Sequence, residues 1–182
     1  MKNIFAALLV TSVTLAMSTA SYAATVEQKT TYKAANDTAS ADYKINRAKC
    51  DSLTGNPKDV CVEEAKAART RMKEEAEAAY KGTPRAMASA RKNIAKADYG
   101  VAKAKCGTTT GNEKDVCVKE AKAALKVAEV DAKTDKKVGE VRTDARDDKR
   151  DAQYKVAAEK CDALAGAAKD TCQANAKSTY GK

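Results

Sequence analysis

The chain has no histidine and no tryptophan, and it has one phenylalanine and two prolines among its 182 residues. The lack of histidine excludes haem attachment through CxxCH, histidine-based acid–base catalysis and histidine-containing zinc sites. A glycine-rich phosphate loop, a nucleophile elbow and a redox CxxC motif are also missing from the sequence. We therefore predict a protein that is not an enzyme and that holds no cofactor and no metal.

Large aliphatic side chains are scarce as well. From Ala24 onward, 16 of 159 residues are Val, Leu or Ile, which is below the roughly 20% expected of a folded globule. Alanine supplies most of the hydrophobic fraction, and alanine contributes helix propensity more than burial. The composition therefore predicts slender helices that meet along narrow alanine seams, with covalent links replacing a packed core.

An internal repeat of about 55 residues is the main feature that the sequence does contain. Three copies begin at Tyr43, Tyr99 and Tyr154, and each places its first cysteine seven residues later. The second cysteine of each copy follows eleven residues after the first. All six cysteines therefore fall into three pairs, which are Cys50/Cys61, Cys106/Cys117 and Cys161/Cys172.

Each copy predicts two helices joined by a tight turn. In the first copy, Gly55 suits a left-handed C′ position, Asn56 an N-cap and Pro57 the first position of the next helix. The two cysteines then face each other across the turn, so we predict a disulfide within each repeat. Thiolate metal binding is the alternative, but a Cys-x10-Cys pair lacks the short ligand spacing usual for zinc.

The predicted fold is all-α, with three disulfide-stapled helical hairpins in series that are either elongated or loosely bundled. We expect a signal peptide at 1–23, hairpin repeat 1 at 24–82, repeat 2 at 83–138 and a truncated repeat 3 at 139–182. Six helices are expected, with a weak point at Gly139 inside a mixed-charge run between Asp131 and Asp151.

The first 23 residues have the features of a secretory signal. Lys2 precedes a 14-residue apolar run from Ile4 to Met17, and Ser21 and Ala23 place small residues at the cleavage positions. An uncleaved membrane anchor is the alternative, but the run is short for a membrane span. We expect cleavage after Ala23, export to the periplasm and no transmembrane segment in the mature chain.

The third predicted helix has the most regular apolar seam, and its spacing of three and four residues is typical of a coiled coil. The seam contains Met87, Ala90, Ile94, Ala97, Val101 and Ala104. The opposite face carries a basic stripe, Arg85, Lys92, Lys96 and Lys103, in a chain of net charge +9. We expect this stripe either to dock an anionic surface, such as lipopolysaccharide or acidic phospholipid, or to be a merely solvated face. Nucleic acid is not an expected partner because interleaved aromatic residues are missing.

The tyrosines that open the three copies lie two helical turns before the first cysteine. We expect each ring to pack beside its hairpin seam with the hydroxyl group reaching water. The alternative is a set of aromatic contacts for a ligand such as a glycan.

The unit CDxLxGNxKDVCVxEAKAA, at Cys50–Ala68 and in variant form at Cys106–Ala124, resembles that of small exported proteobacterial proteins labelled cell envelope biogenesis protein TolA. A degraded third copy begins at Cys161. The resemblance implies an envelope location and little about activity. TolA's retained anchor and globular C-terminal domain have no counterpart here, so energy coupling across the membrane is not implied.

The end of the chain, Tyr180-Gly181-Lys182, resembles the Tyr-x-Lys end of the murein lipoprotein, whose terminal lysine is joined to peptidoglycan. That resemblance implies attachment through an accessible amine of Lys182, for which we expect a frayed, flexible end. The alternative is that a terminal lysine occurs here by chance.

Together these features predict a non-enzymatic periplasmic helical protein with a structural, spacer or stress-protective role in the cell envelope. The alternatives are binding to lipopolysaccharide or a cationic holdase similar in general character to the chaperone Spy, although Spy's LTxxQ signature is missing. A thiol metal scavenger would require reduced cysteines. Expected partners are anionic lipid, lipopolysaccharide or peptidoglycan, and self-association stays open.

Overall fold

A computed structural model describes residues 26–182, so the predicted signal peptide lies outside the described residues. This part of the chain contains five α-helices and no strand. The helices are α1 (Val26–Lys49), α2 (Gly55–Lys81), α3 (Pro84–Lys105), α4 (Gly111–Asp162) and α5 (Gly166–Tyr180). Short 3₁₀ turns follow α1 and α3 at Cys50–Ser52 and Cys106–Thr108. The prediction of an all-α fold built from helical hairpins is confirmed.

The helices pack mainly against their neighbours in the chain, so α1, α2, α3 and the first half of α4 form an antiparallel row. Ion pairs fix the register between α2 and α3, where Arg71 bonds Asp98 at 2.9 Å and Lys105 bonds Glu64 at 2.8 Å. Between α3 and α4 the register is marked by the pair Arg91–Asp135. Helix α4 then runs on beyond the row, and α5 folds back along its C-terminal end.

The fully buried parts of the interfaces between the helices consist of small side chains. The buried residues in the described chain are alanines and half-cystines: Ala39, Ala65, Ala67, Ala90, Ala132, Ala176, Cys50, Cys106 and Cys161. The largest fully buried side chains are the three cysteines. Even Met87 of the α3 seam is 49% exposed. The expectation of narrow alanine seams in place of a packed core therefore describes the structure well.

All six cysteines form disulfides, and every pair lies within one repeat. The Cα–Cα distances are 5.6 Å for Cys50–Cys61, 5.7 Å for Cys106–Cys117 and 5.6 Å for Cys161–Cys172. Cys50 and Cys106 lie in the 3₁₀ turns that follow α1 and α3, and Cys161 lies in the last turn of α4. Each is bridged to a cysteine in the second turn of the next helix. The predicted pairing is confirmed.

The turns differ in detail from the expectation. Gly55 does have a left-handed φ of 60°, but it begins α2 and does not end α1. Leu53 and Thr54 precede it with extended ψ values of 160°. Helix axes lie about 8–10 Å apart, and two extended residues cover about 7 Å of that gap. The same conformation recurs at Gly111 and Gly166, with φ of 57° and 56°.

The expectation of six helices is wrong, because α4 continues through Gly139 as one helix of 52 residues. At about 1.5 Å per residue it is roughly 78 Å long. Glycine inside a helix costs only about 1 kcal/mol relative to alanine, and here its missing side chain has a packing role. A Cβ on Gly139 would lie 2.8 Å from Cβ of Pro84, at the start of α3. The 138/139 boundary thus falls inside a helix that repeats 2 and 3 share.

Replacing Cys50 and Cys61 together by Ser should lower the free energy of unfolding by about 3 kcal/mol, because it frees a loop of about 12 residues in the unfolded state. Thermal and urea unfolding followed by circular dichroism would measure this loss. The matched control replaces Cys161 and Cys172 by Ser in the third repeat, where α5 packs only against α4 in the described chain. Unchanged unfolding midpoints would show that the alanine seams hold the hairpins without the bridges.

The substitution Gly139→Ala should destabilise the packing of α4 on α3, because the new Cβ would collide with the ring of Pro84. Pro84 begins α3, so its ring can move only if the helix moves. Gly100→Ala is the matched control within α3. There the new Cβ would lie 2.9 Å from Oε2 of Glu63, at the end of a side chain that can move. We expect Gly100→Ala to stabilise the fold by up to about 1 kcal/mol through helix propensity. Equal changes in melting temperature for both variants would contradict the role given to Gly139.

Candidate anionic-surface site

The structure places the four residues of the basic stripe on one exposed face of α3. Their spacing of seven, four and seven residues keeps them aligned along the helix. Within residues 26–182 none of the four forms an ion pair, whereas Arg91 and Lys105 of the same helix pair with Asp135 and Glu64. The cations that face neighbouring helices are thus neutralised, and those of the stripe are left free to meet an external anion.

The C-terminal end of the basic stripe, at Lys103, lies beside a contact between two turns. One turn joins α1 to α2, and the other joins α3 to α4. The Asn56 amide donates a hydrogen bond of 2.7 Å to the carbonyl oxygen of Ala104. Asn56 is therefore not the N-cap that the sequence predicts, since its side chain joins repeat 1 to repeat 2. Gly107 faces it, and a Cβ at that position would collide with the Asn56 amide. The second copy has glycine where the first and third copies have aspartate after their first cysteine, and this glycine leaves room for the Asn56 amide.

A depression of about 790 Å³ opens around this contact, and Lys103 of the stripe lies on its wall. The other basic residues that line it come from three further elements: Arg47, Lys58, Lys66 and Lys114. Two acidic residues, Asp59 and Glu63, also line it. Positive charge therefore exceeds negative charge in the depression, which extends the basic surface from α3 towards the turns.

Some of these cations have internal partners. Arg47 and Lys58 both bond Asp51, at 2.7 Å and 3.4 Å. Their hydrogen bonds lower the pKa of the Asp51 carboxyl below its usual value, with the bond from Arg47 as the largest cause. Lys66 bonds Glu63 at 2.7 Å. Lys103 and Lys114 have no ion-pair partner in the described part of the chain, and they are the depression's free cations.

The three tyrosines that open the repeats have three different environments. The Tyr43 ring lies under Arg69, with 4.1 Å from the guanidinium carbon to the ring centroid. The Tyr154 ring meets Tyr180 edge-on at 6.4 Å. Tyr99 lines the basic depression. Packing beside a seam therefore describes Tyr43 and Tyr154, and only Tyr99 lies where it could contact a ligand of the basic surface.

Lys182 follows the C-terminal end of α5, where both its backbone amide and its side-chain amine have partners. Gly181 ends α5 with a φ of 66°, and the Lys182 amide bonds the carbonyl oxygen of Lys177 at 2.9 Å. The lysine amine pairs with Asp151, whose carboxyl pKa it lowers through that hydrogen bond. Covalent attachment through this amine would require the pair with Asp151 to open first.

Two further observations bear on the chemistry of the described residues. Because every cysteine is in a disulfide, the thiolates that a metal scavenger needs are not present in this oxidised form. Among residues 26–182, no helix is long and apolar enough to cross a membrane.

Sequence reasoning found the stripe but missed the depression. Lys66 and Lys114 come from different repeats, and only the antiparallel register of α2, α3 and α4 brings them beside Lys103. The one available signal was the glycine at position 107, which departs from the aspartate of the other copies.

The architecture defines the class, an all-α repeat protein whose hairpins are held by disulfides. No protein-family model, no curated protein and no solved structure matches the chain.

Replacing Asn56 by Ala should lower the free energy of unfolding by about 1 kcal/mol, because it removes a partly buried hydrogen bond between two repeats. Asn112 is the matched control, since it occupies the same place in the second copy and is exposed. We expect Asn112→Ala to change stability by less than about 0.5 kcal/mol. Denaturant unfolding of both variants would test this, and equal effects would rule out a special role for the Asn56–Ala104 bond.

Proposed function

We propose that this protein is an exported, non-enzymatic structural protein of the cell envelope that docks on an anionic surface through the basic stripe of α3. The supporting observation is the row of four exposed, unpaired cations, which continues into the basic depression beside Lys103. The three disulfides support an oxidising compartment such as the periplasm, because they persist where thiols are not kept reduced. In that compartment the abundant anionic surfaces are lipopolysaccharide and acidic phospholipid.

Physical considerations favour a surface over a small ligand as the partner. The stripe extends over 18 residues from Arg85 to Lys103, about 27 Å at the helical rise. A small anion would contact only one or two of these side chains at once. A layer of phosphate groups would contact all four, and each cation near an anionic surface strengthens binding about fivefold. The row of helices presents the stripe on a long, open face, which suits a structural element or spacer lying along that layer.

A cationic holdase is the second candidate, and one observation favours it. On another side of α3, a shallow groove of about 550 Å³ is lined by Met87, Ala90 and Ile94 together with alanines of α2 and α4. Apolar side chains in an open groove could contact an unfolded client. A holdase would suppress aggregation of such a client at a near-stoichiometric ratio, whereas a spacer would not.

Replacing Arg85, Lys92, Lys96 and Lys103 by Gln should weaken binding to vesicles of phosphatidylglycerol and phosphatidylethanolamine, or to lipopolysaccharide, by at least about 100-fold at low salt. Helix content should not change, because all four side chains are exposed. Co-sedimentation at 20 mM and 500 mM salt would measure the loss, and the wild-type protein should also dissociate at high salt through screening.

The matched control replaces Arg146, Lys155, Lys160 and Lys177 by Gln. These residues are also one arginine and three lysines, they are exposed, and they lie in the third hairpin without ion-pair partners in the described chain. Binding should then fall only slightly. Equal losses in the two variants would show a general effect of net charge, and the stripe would then be a solvated face.

A further inference from the structure

Helix α4 carries an exposed apolar stripe that the other helices of the described chain leave largely uncovered. Its valines are between 42% and 65% exposed. The stripe consists of Val116, Ala123, Val127, Val130, Thr134, Val138, Val141, Ala145 and Ala152. Its steps of three, four and seven residues keep it on one side of the helix over about ten turns. We call this set the α4 stripe.

The neighbours of α4 occupy its other sides. Helix α3 contacts the side that carries Ala132, Asp135 and Gly139. Helix α5 contacts the side that carries Tyr154 and Cys161. At about 100° per residue, the centre of the α4 stripe lies more than about 120° around the helix from both contacts. The centre of the stripe therefore lies away from both seams, and only its margin at Val138 borders α3, beside Pro84 and Met87.

Between Val116 and Ala152 the spacing of the stripe is symmetric about Thr134, and the exposed Val156 extends the apolar side of α4 beyond this range. Towards the N-terminus, the steps from Thr134 are four, three, four and seven residues, ending at Val116. Towards the C-terminus they are again four, three, four and seven, ending at Ala152. An apolar pattern that reads the same in both directions fits an identical helix running antiparallel to itself.

We propose that the α4 stripe is the interface with a second copy of this chain, with the two α4 helices antiparallel and a two-fold axis at Thr134. The axis would place Val127 against Val141 of the second copy and Val130 against its Val138. A closed two-fold contact of this kind uses the same surface on both subunits. This inference is independent of the proposed docking on an anionic surface, because the basic stripe lies on α3.

The charges that flank the stripe support the antiparallel arrangement. On one flank, Lys119 and Lys126 lie in the N-terminal half, and Asp144 and Asp148 lie in the C-terminal half. Antiparallel pairing about Thr134 brings the lysines of one copy to within about two residues of the aspartates of the other. On the other flank it brings Glu120 beside Lys149. Within residues 26–182 none of these six side chains forms an ion pair, so all remain free for an intermolecular partner. Two like-charge approaches oppose this arrangement: Lys133 lies near Lys137 of the second copy close to the axis, and Glu120 lies opposite its Asp148 at the margin of the stripe.

The extent of the stripe is sufficient for a stable contact. Val116 to Ala152 spans about 55 Å of helix, and a strip as wide as a helix, about 10–12 Å, covers on the order of 600 Å² per copy. The total of about 1,200 Å² lies above the roughly 1,000 Å² expected of a biological interface.

The same arrangement explains how the middle of α4 is supported. Residues 143–150 lie between the part of α4 that packs on α3 and the part that packs on α5, so they project as a single helix. A two-fold axis at Thr134 places residues 118–125 of the second copy alongside this segment. The second copy would therefore cover the part of α4 that its own chain leaves bare.

The test is the molecular mass of the full mature chain in solution. Sedimentation equilibrium at about 10 μM should give twice the monomer mass for the wild-type protein. Val127→Lys combined with Val141→Lys should weaken the dimer at least about 100-fold, because the axis would bury these charges without partners. Both valines face solvent in the single chain, at 60% and 65% exposure, so circular dichroism of the variant should be unchanged. The matched control is Ile45→Lys on α1, which is 58% exposed and should leave the dimer intact.

A charge exchange tests the orientation without adding charge to the apolar stripe. Lys126→Asp should weaken the dimer by placing like charges together, and Lys126→Asp combined with Asp144→Lys should restore it. In a parallel dimer these two positions would not meet, so failure of the exchange to restore association would overturn the antiparallel arrangement. A wild-type chain that is monomeric at 100 μM, or a dimer unaffected by the two valine substitutions, would overturn the proposal. So would a monomeric chain whose α4 stripe binds an unfolded client.

Discussion

The covalent closure of each turn is the constraint on which this structure depends. The helices meet through alanines, and burying one methyl group contributes only about 0.8 kcal/mol. A single disulfide across a turn of this length contributes about as much as four such groups. The three half-cystines Cys50, Cys106 and Cys161 are also the largest fully buried side chains. Each bridge therefore fixes a pair of helices that their own seams would hold weakly.

Thin seams leave the helices with much free surface, and the charges are distributed accordingly. Side chains between neighbouring helices form pairs such as Arg71–Asp98, which mark the register of the row. The cations on the outer face of α3 have no such partners. Because exposed ion pairs contribute little to stability, unpaired cations on this face cost the fold little. The cations on the outer face of α3 are therefore exposed and unpaired within the described chain.

The departures of the three copies from one another reflect their different neighbours. The turn between α1 and α2 (turn 1) packs beside the turn between α3 and α4 (turn 2). There the Asn56 side chain bonds the carbonyl oxygen of Ala104, and Gly107 leaves room for it. Turn 3 lies at the far end of α4, and its copy has Ala167 in place of the asparagine. The long α4 is what separates it from the other two. The three copies are similar in sequence but not in their surroundings. The first two copies form a row of four helical segments, and the third hairpin lies apart from them at the C-terminal end of α4.

The sequence by itself determined the helical class, the pairing of the cysteines and the exposed stripe of α3, because these follow from local spacing. A distance of eleven residues across a glycine turn leaves each cysteine one near partner, and a period of three and four residues assigns each side chain to a face. Only the tertiary structure decided the continuity of α4 and the contact of Asn56. A glycine such as Gly139 can weaken a helix, or it can allow close packing against a neighbouring helix. Here it allows close packing, because Pro84 lies opposite it. Asn56 caps a helix or crosses to another repeat according to where turn 2 lies. Both depend on which helices become neighbours, and that is a property of packing between distant segments that no local pattern records.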